Sequence, residues 1–382
     1  MLNVLFPFLV AAVVTLLVVR SARSHGRFSA DADLSGPQKF HARPVPRVGG
    51  IGILLGMLAC AVYMWLTAAP EQAWFGLGLA LCGLPAFAMG LTEDLTKSVS
   101  PAKRLLATGL SAGLAAWFLG AQITRTDLPG LDWLVGFVPG AILITVFVIA
   151  GVANAFNIID GFNGLSSMCA VLILLAIALV AHDAGDAVLA AWALAGVGAI
   201  LGFFVWNFPA GLIFLGDGGA YFVGFLVAEL AVLLIHRQQQ LSPLFALMVC
   251  IYPVFETVFS IYRRRFIRAV PPGLPDGIHL HSLVYRRAVR WAVGARDAKL
   301  VTRRNSLTAP YLWMLCIASL VPAVLFRHST PLLAACILLF GCVYVAIYWR
   351  IVRFRTPRWL VLSPVVGRRR ALKRRRTRPE GP

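Results

Sequence analysis

The chain has 382 residues, of which 59% are hydrophobic and only 13% charged, and its mean hydropathy is +0.80. That composition excludes an ordinary soluble protein and leaves no room for a large soluble domain between the apolar runs. The net charge of +19 suggests nucleic acid, but its placement in the loops of a membrane chain points instead to topology and anionic lipid, so no nucleic-acid partner is expected.

Eleven segments have spanning length. They run over Leu2–Val19, Val48–Thr67, Ala73–Leu91, Leu105–Ile123, Leu134–Val152, Leu165–Ala181, Ala187–Phe208, Gly219–Ile235, Leu241–Tyr262, Ala309–Phe326 and Thr330–Trp349. The first has no basic stretch before it and no Ala-x-Ala site after it, which fits an anchor with its N-terminus outside rather than a cleaved signal. Of the 35 Lys and Arg, 32 fall in the odd-numbered loops and the C-terminal tail; only Arg125, Arg237 and Arg327 fall in the others. This asymmetry puts the C-terminus inside. The expected architecture is an all-α polytopic membrane domain over residues 1–352. A basic cytoplasmic tail over 353–382 carries RRR and KRRR runs that would be solvated or lie on anionic headgroups.

The polar clusters all fall in the predicted cytoplasmic loops. The first loop reads His41-Ala-Arg-Pro-Val-Pro-Arg-Val-Gly-Gly50. The third carries Glu93-Asp94, then Lys97, Lys103 and Arg104. Acids are disfavoured at a helix C-terminus, so Glu93 and Asp94 have no local energetic reason to stand there; Lys103 could pair with them or grip a phosphate. The fifth loop, Asn154–Leu165, holds Asn154, Asn157, Asp160 and Asn163 with two Gly and no Lys or Arg. Polar groups at a membrane boundary are costly unless they hold a ligand, and amide and carboxylate oxygens suit Mg²⁺. The seventh reads Phe214-Leu-Gly-Asp217-Gly-Gly, placing a carboxylate and free N–H groups at a helix N-terminus, where a metal-bound diphosphate could dock; a plain cap is the alternative. The ninth carries Asp276, His279, His281, Arg286 and Arg287, a set suited to phosphate; zinc lacks a third N or S ligand.

Inside the spans, Glu256 could reach the site or pair with Arg263, and the pairing is favoured; Glu229 lies deeper. The seven Cys form no CxxC pair and read as buried small hydrophobes.

Taken in order from His41 to Arg287, these motifs resemble the polyprenyl-phosphate N-acetylhexosamine-1-phosphate transferases, in particular the bacterial undecaprenyl-phosphate GlcNAc-1-phosphate branch, relatives of the phospho-MurNAc-pentapeptide translocase. The resemblance implies transfer of a sugar 1-phosphate from a UDP-N-acetylhexosamine to undecaprenyl phosphate, giving undecaprenyl diphosphate-sugar and UMP. The enzyme would work at the cytoplasmic face of the bacterial inner membrane, in the first membrane step of a surface glycan pathway such as O-antigen. UDP-GlcNAc is the default donor and a deoxy N-acetylated sugar the runner-up.

The resemblance also implies Mg²⁺, with Mn²⁺ as a substitute, held by Asp217 and Asn157. Phe214 would stack on uracil, with Asp160, Asn154 and Asn163 near the nucleotide. Lys103 would contact a phosphate, and Glu93 with Asp94 would face the lipid phosphate. His279, His281 and one of Arg286 or Arg287 would hold the sugar diphosphate. Relatives allow a homodimer. Three positions depart from the family pattern: Glu93 for Asp, Asn163 for Asp, and Ser282 for His. The competing readings are a transporter, which needs polar residues at mid-membrane depth, and a non-catalytic scaffold built on the basic tail.

Overall fold

A computed structural model describes residues 2–22, 30–31, 44–67, 70–269, 277–289, 297–354 and 361. His41, Asp276 and the basic runs of the tail lie outside the described residues. The chain is a multi-pass bundle of α-helices, as its composition dictates: in lipid each backbone N–H and C=O must be satisfied within its own helix. In order the helices are α1 (Leu2–Arg20), α2 (Gly50–Leu66), α3 (Pro70–Thr96), α4 (Pro101–Phe118), the short α5 (Leu131–Val135), α6 (Val138–Ile159), α7 (Leu165–Asp183), α8 (Ala187–Asn207), α9 (Gly216–Arg237), α10 (Leu244–Val249), α11 (Ile251–Tyr262), the short α12 (Leu280–Leu283), α13 (Ala298–Ser306), α14 (Ala309–Leu325) and α15 (Thr330–Val352). Among the described residues one two-stranded sheet is present, β1 (Ala30–Asp31) antiparallel to β2 (Val45–Pro46).

Among the described residues, eight helices are long and apolar enough to cross a membrane. The other three expected spans are also helical: α2 with 17 residues, α4 with 18, and the region broken at Cys250 into α10 and α11.

The central helix is α9. It is apolar all round and buried along its whole spanning length, packed against α3, α6 and α7. Glu229 sits within it, fully buried, with no hydrogen-bond partner among the described residues on either carboxylate oxygen. On one flank, α1 packs against α2 and α8 through two small-xxx-small pairs, Gly52/Gly56 and Gly198/Gly202, where any Cβ would strike α1. Trp117, Phe147, Met314 and Leu338 are exposed, as expected of a lipid-facing surface. Five cysteines are buried, but Cys342 is exposed on α15, against the expectation that all seven pack inside; all seven are free thiols.

Each of the three arginines outside the positive-inside pattern has an acid beside it. Arg125 pairs with Asp127 at 3.4 Å, Arg237 with Asp186 at 3.3 Å and Arg327 with Asp183 at 3.2 Å. Asp127 also accepts from the Thr330 hydroxyl at 2.6 Å, tying the start of α15 to the segment before α5.

Two helix boundaries differ from expectation in ways that bear on function. No breaker stands before Asp160-Gly161, so α6 continues through Ile159, and Asn154 and Asn157 lie one turn apart on one helical face rather than in a loop. Ser100 caps α4 from just outside and Pro101 opens it, so Lys103 and Arg104 ride on the first turn of a helix.

Candidate active site

The site is assembled where three backbones touch. Past β2, the first loop runs alongside Phe214–Leu215: Phe214 N–H donates to Pro46 O at 2.8 Å, Gly49 N–H to Phe214 O at 3.0 Å and Gly50 N–H to Leu215 O at 3.1 Å. This ladder brings Arg47 against Gly216. Gly216 has φ +77, and a Cβ there would collide with Arg47 O and lie 2.6 Å from Asp94 Oδ2, so only glycine fits. On the other side α3 crosses α9 at Gly90 and Gly218; a Cβ on Gly90 would lie 2.6 Å from Gly218 Cα.

One turn beyond that crossing, Asp94 meets the N-terminus of α9. It is 1% exposed, and its carboxylate accepts from the N–H groups of Asp217 and Gly218, both at 2.9 Å. The acid that looked misplaced at the end of its own helix is therefore the cap of another, where a negative charge is favoured. These N–H groups were expected to be free for a diphosphate; Asp94 occupies them. Asp217, in the first turn of α9, makes no capping bond of its own. It instead faces two guanidiniums: Arg47 donates to Oδ1 at 3.0 Å and Arg104 to Oδ2. Arg47 also lies 3.5 Å from Asp94. Arg104 stands 6.0 Å over the ring of Tyr221, whose hydroxyl donates to Asn154 Oδ1 at 3.4 Å, so the Asn face of α6 joins the same cluster. Asp160 feels this cluster too. Burial pushes its carboxyl up to about 8, opposed by Arg47 and reinforced by the charges of Asp217 and Asp94.

The Asp160–Gly164 turn links this cluster to the ninth loop. Phe162 packs edge-on against His281, ring centroids 5.6 Å apart, and against Tyr285 at 5.5 Å. His279 and His281 stack in parallel at 5.0 Å. Ser282, which follows them, is buried. Asn163 turns the other way. Its N–H donates to Asn305 Oδ1 at 2.9 Å and its amide to Ser306 Oγ at 3.1 Å, while its own Oδ1 is buried without a partner among the described residues. It lines a cavity of about 590 Å³ whose walls include Phe214, Phe208, Lys299 and Arg303.

Not every expected residue joins this arrangement. Glu93 is half-buried and its carboxylate accepts from Val99 N–H at 2.7 Å, closing the turn after α3. Lys103 is exposed beside Arg104, with no ion-pair partner among the described residues. Arg286 is exposed. Arg287 donates to the last carbonyls of α15, Ile351 O and Val352 O, both at 2.6 Å, and covers the Phe354 ring at 3.9 Å. That is a helix C-cap. Arg287→Ala is expected to cost about 1 kcal/mol of stability, read as a lowered Tm, and to leave the activity of the folded protein intact.

Arg263 does not pair with Glu256. Its guanidinium donates to Ile278 O and Tyr348 Oη, both at 2.5 Å, whereas Glu256 accepts from Leu280 N–H at 2.8 Å and contacts His279 Nδ1 at 3.3 Å. His279 and Leu280 lie against α11, and that contact cannot be read from sequence distance.

The residues absent from the sequence expectation are Arg47, Arg104 and Tyr221. Both arginines were visible in their loops, but positive-inside topology accounts for loop arginines without a site.

Comparison with known proteins bears on what this cluster does. Residues 76–235, which carry Asp94, Arg104, Asn157, Asp160 and Asp217, match the glycosyl transferase family 4 profile. A phospho-N-acetylmuramoyl-pentapeptide-transferase of Geobacillus kaustophilus is 30% identical over 241 residues, covering 59% of this chain and 72% of the relative. The chain belongs to glycosyl transferase family 4. Two further members are named undecaprenyl-phosphate alpha-N-acetylglucosaminyl 1-phosphate transferase. That of Thermotoga maritima is 29% identical over 259 residues, covering 68% of this chain and 74% of its own. That of Escherichia coli O157:H7 is 26% identical over 356 residues, covering 89% and 90%. This family 4 chain is a multi-pass membrane protein and, by its family, a transferase.

The family relation implies a divalent cation. Among the described residues no three His, Cys, Asp or Glu side chains gather as a metal cluster. Mg²⁺ needs no such cluster, since it commonly takes one or two carboxylates and fills its shell with substrate phosphate oxygens and water. Asp217 offers carboxylate oxygens and the neighbouring Asn154 and Asn157 of α6 offer amide oxygens, the hard donor atoms that Mg²⁺ takes.

Proposed function

We propose that the protein transfers an N-acetylhexosamine 1-phosphate from a UDP-sugar, UDP-GlcNAc by default, to undecaprenyl phosphate, releasing UMP. The observation that carries this reading is the convergence of Asp94, Asp217, Arg47 and Arg104 at the N-terminus of α9, beside the Asn face of α6 and next to a cavity of nucleotide size. Asp217 and Asn157 would hold Mg²⁺, which supplies charge neutralisation on the diphosphate when bound. Arg47 and Arg104 are placed to exchange their bonds to Asp217 for bonds to phosphate oxygens. Phe214 offers an aromatic wall for uracil, and the unpartnered Asn163 Oδ1 an acceptor in the same cavity.

The lipid phosphate, with a second pKa near 6, is already largely dianionic at pH 7, so positioning and charge neutralisation suffice without a strong base. The attack is in line and direct. Both oxygens of Asp94 accept backbone N–H bonds, which supports an orienting role over that of a nucleophile; a phosphoryl group trapped on Asp94 would contradict it. Lys103, exposed beside Arg104, is the group for the lipid phosphate. Lys103→Ala is expected to raise the KM for undecaprenyl phosphate about tenfold and to leave that for the nucleotide sugar unchanged, as loss of one point charge on one substrate should.

The site faces the cytoplasm of a bacterial inner membrane in an eleven-span arrangement, N-terminus outside, with residues 1–352 as the catalytic unit and the basic tail on anionic headgroups. The 32-to-3 distribution of basic residues supports this, as does the pairing of the three exceptions. The test is UMP release by purified protein with undecaprenyl phosphate and Mg²⁺ across a panel of UDP-N-acetylhexosamines. Release that needs both lipid and metal is expected with one donor; silence across the panel from folded protein would refute the reading.

A further inference from the structure

Glu256 is a carboxylate on a membrane helix, 1% exposed, in a wall that includes Tyr252. Its Oε1 accepts from Leu280 N–H at 2.8 Å and from His279 Nδ1 at 3.3 Å, and the buried hydroxyl of Tyr344 lies beside the carboxylate. For packing alone this is a poor choice, since a buried charge is generally no better than a methionine or leucine of similar volume. What the carboxylate does do is grip the first member of a stack. His279 is 7% exposed and lies parallel to His281 at 5.0 Å; His281 is 4% exposed and meets Phe162 edge-on, with its Nε2 over Gly161, the residue after Asp160. The contacts run unbroken from α11 through two imidazoles to the turn that carries Asp160.

We infer that Glu256 is a positioning residue for donor binding: it fixes the His279–His281 stack against the Asp160 turn by holding the Nδ1 edge of His279 and the N–H of Leu280. This rests on the proposed transfer from a nucleotide sugar, in which the two histidines face the sugar diphosphate. The carboxylate touches no substrate. It sets the ring plane and the tautomer, as second-sphere carboxylates do for functional histidines elsewhere.

The test uses the full-length enzyme with UDP-GlcNAc and undecaprenyl phosphate. Glu256→Met keeps the volume and removes the acceptor; it should raise the KM for the nucleotide sugar about tenfold and leave the KM for the lipid within about twofold. Glu256→Gln keeps a carbonyl that can accept both bonds, so its donor KM should stay within about threefold of wild type. Equal effects on both KM values, or no effect of the Met variant on donor KM, would overturn the inference. Should the Met variant fail to fold, Glu256→Asp, which withdraws the acceptor by one methylene, is read the same way. If the wild type transfers no sugar phosphate at all, that failure belongs to the functional reading. The ¹⁵N spectrum of His279 then decides the positioning role alone: a hydrogen-bonded Nδ1–H signal in the wild type that is lost in the Met variant upholds it, and an unchanged spectrum overturns it.

Discussion

Asp217→Asn is expected to lower metal-dependent UMP release by at least about a thousandfold while the protein still inserts and folds. The substitution keeps the shape of the side chain and removes its charge. The charge is what Arg47 and Arg104 converge on, and it is the strongest anionic ligand the cluster can offer a cation. The fold should survive, because α9 is capped by Asp94 and not by Asp217. Detergent-solubilised variant with a wild-type elution profile and no Mg²⁺-stimulated turnover would meet the expectation. Full activity would remove Asp217 from the reacting centre.

Asp94 should behave differently, because it serves the fold and the site together. Asp94→Ala strips two N–H groups of their acceptor in a buried place and leaves Arg47 with one carboxylate fewer. The expected result is a loss of about 1–2 kcal/mol of stability, with turnover down about a hundredfold or more. Asp94→Asn separates the two effects. Its amide oxygen can accept one of the N–H bonds, so Tm should largely recover while turnover stays low. Matching recovery of both would show that Asp94 acts only as a cap. Thermal unfolding and initial rates on the same preparations distinguish these outcomes.

The contrast between these two aspartates shows what was legible in the sequence. Asp217 followed by Gly-Gly before an apolar run announces a carboxylate at a helix N-terminus, and the structure has it in the first turn of α9. Asp94 announces only a problem, an acid where a helix disfavours one. Its solution lies 123 residues away and depends on two glycines letting α3 and α9 touch. The same limit applies to Arg47 and Arg104, whose charge is explained by topology until a fold shows them converging on one carboxylate. Composition singles out Asn154 and Asn157, but Ala155, Phe156, Ile158 and Ile159 around them continue a helix, so the polar segment is the end of α6 and only its Asp160–Gly164 part is a turn. Arg287 meets the end of α15, and an arginine that caps a distant helix looks like a phosphate ligand in one dimension.

The functional claim turns on which bond of the donor breaks. With the β-phosphate of UDP-GlcNAc labelled, transfer of sugar 1-phosphate carries the label into the organic phase with undecaprenyl phosphate and leaves UMP unlabelled. Simple glycosyl transfer would leave the label in UDP. The account predicts labelled lipid that forms only with Mg²⁺ and is lost in Asp217→Asn. Label that stays wholly in the aqueous phase while sugar reaches the lipid would contradict it.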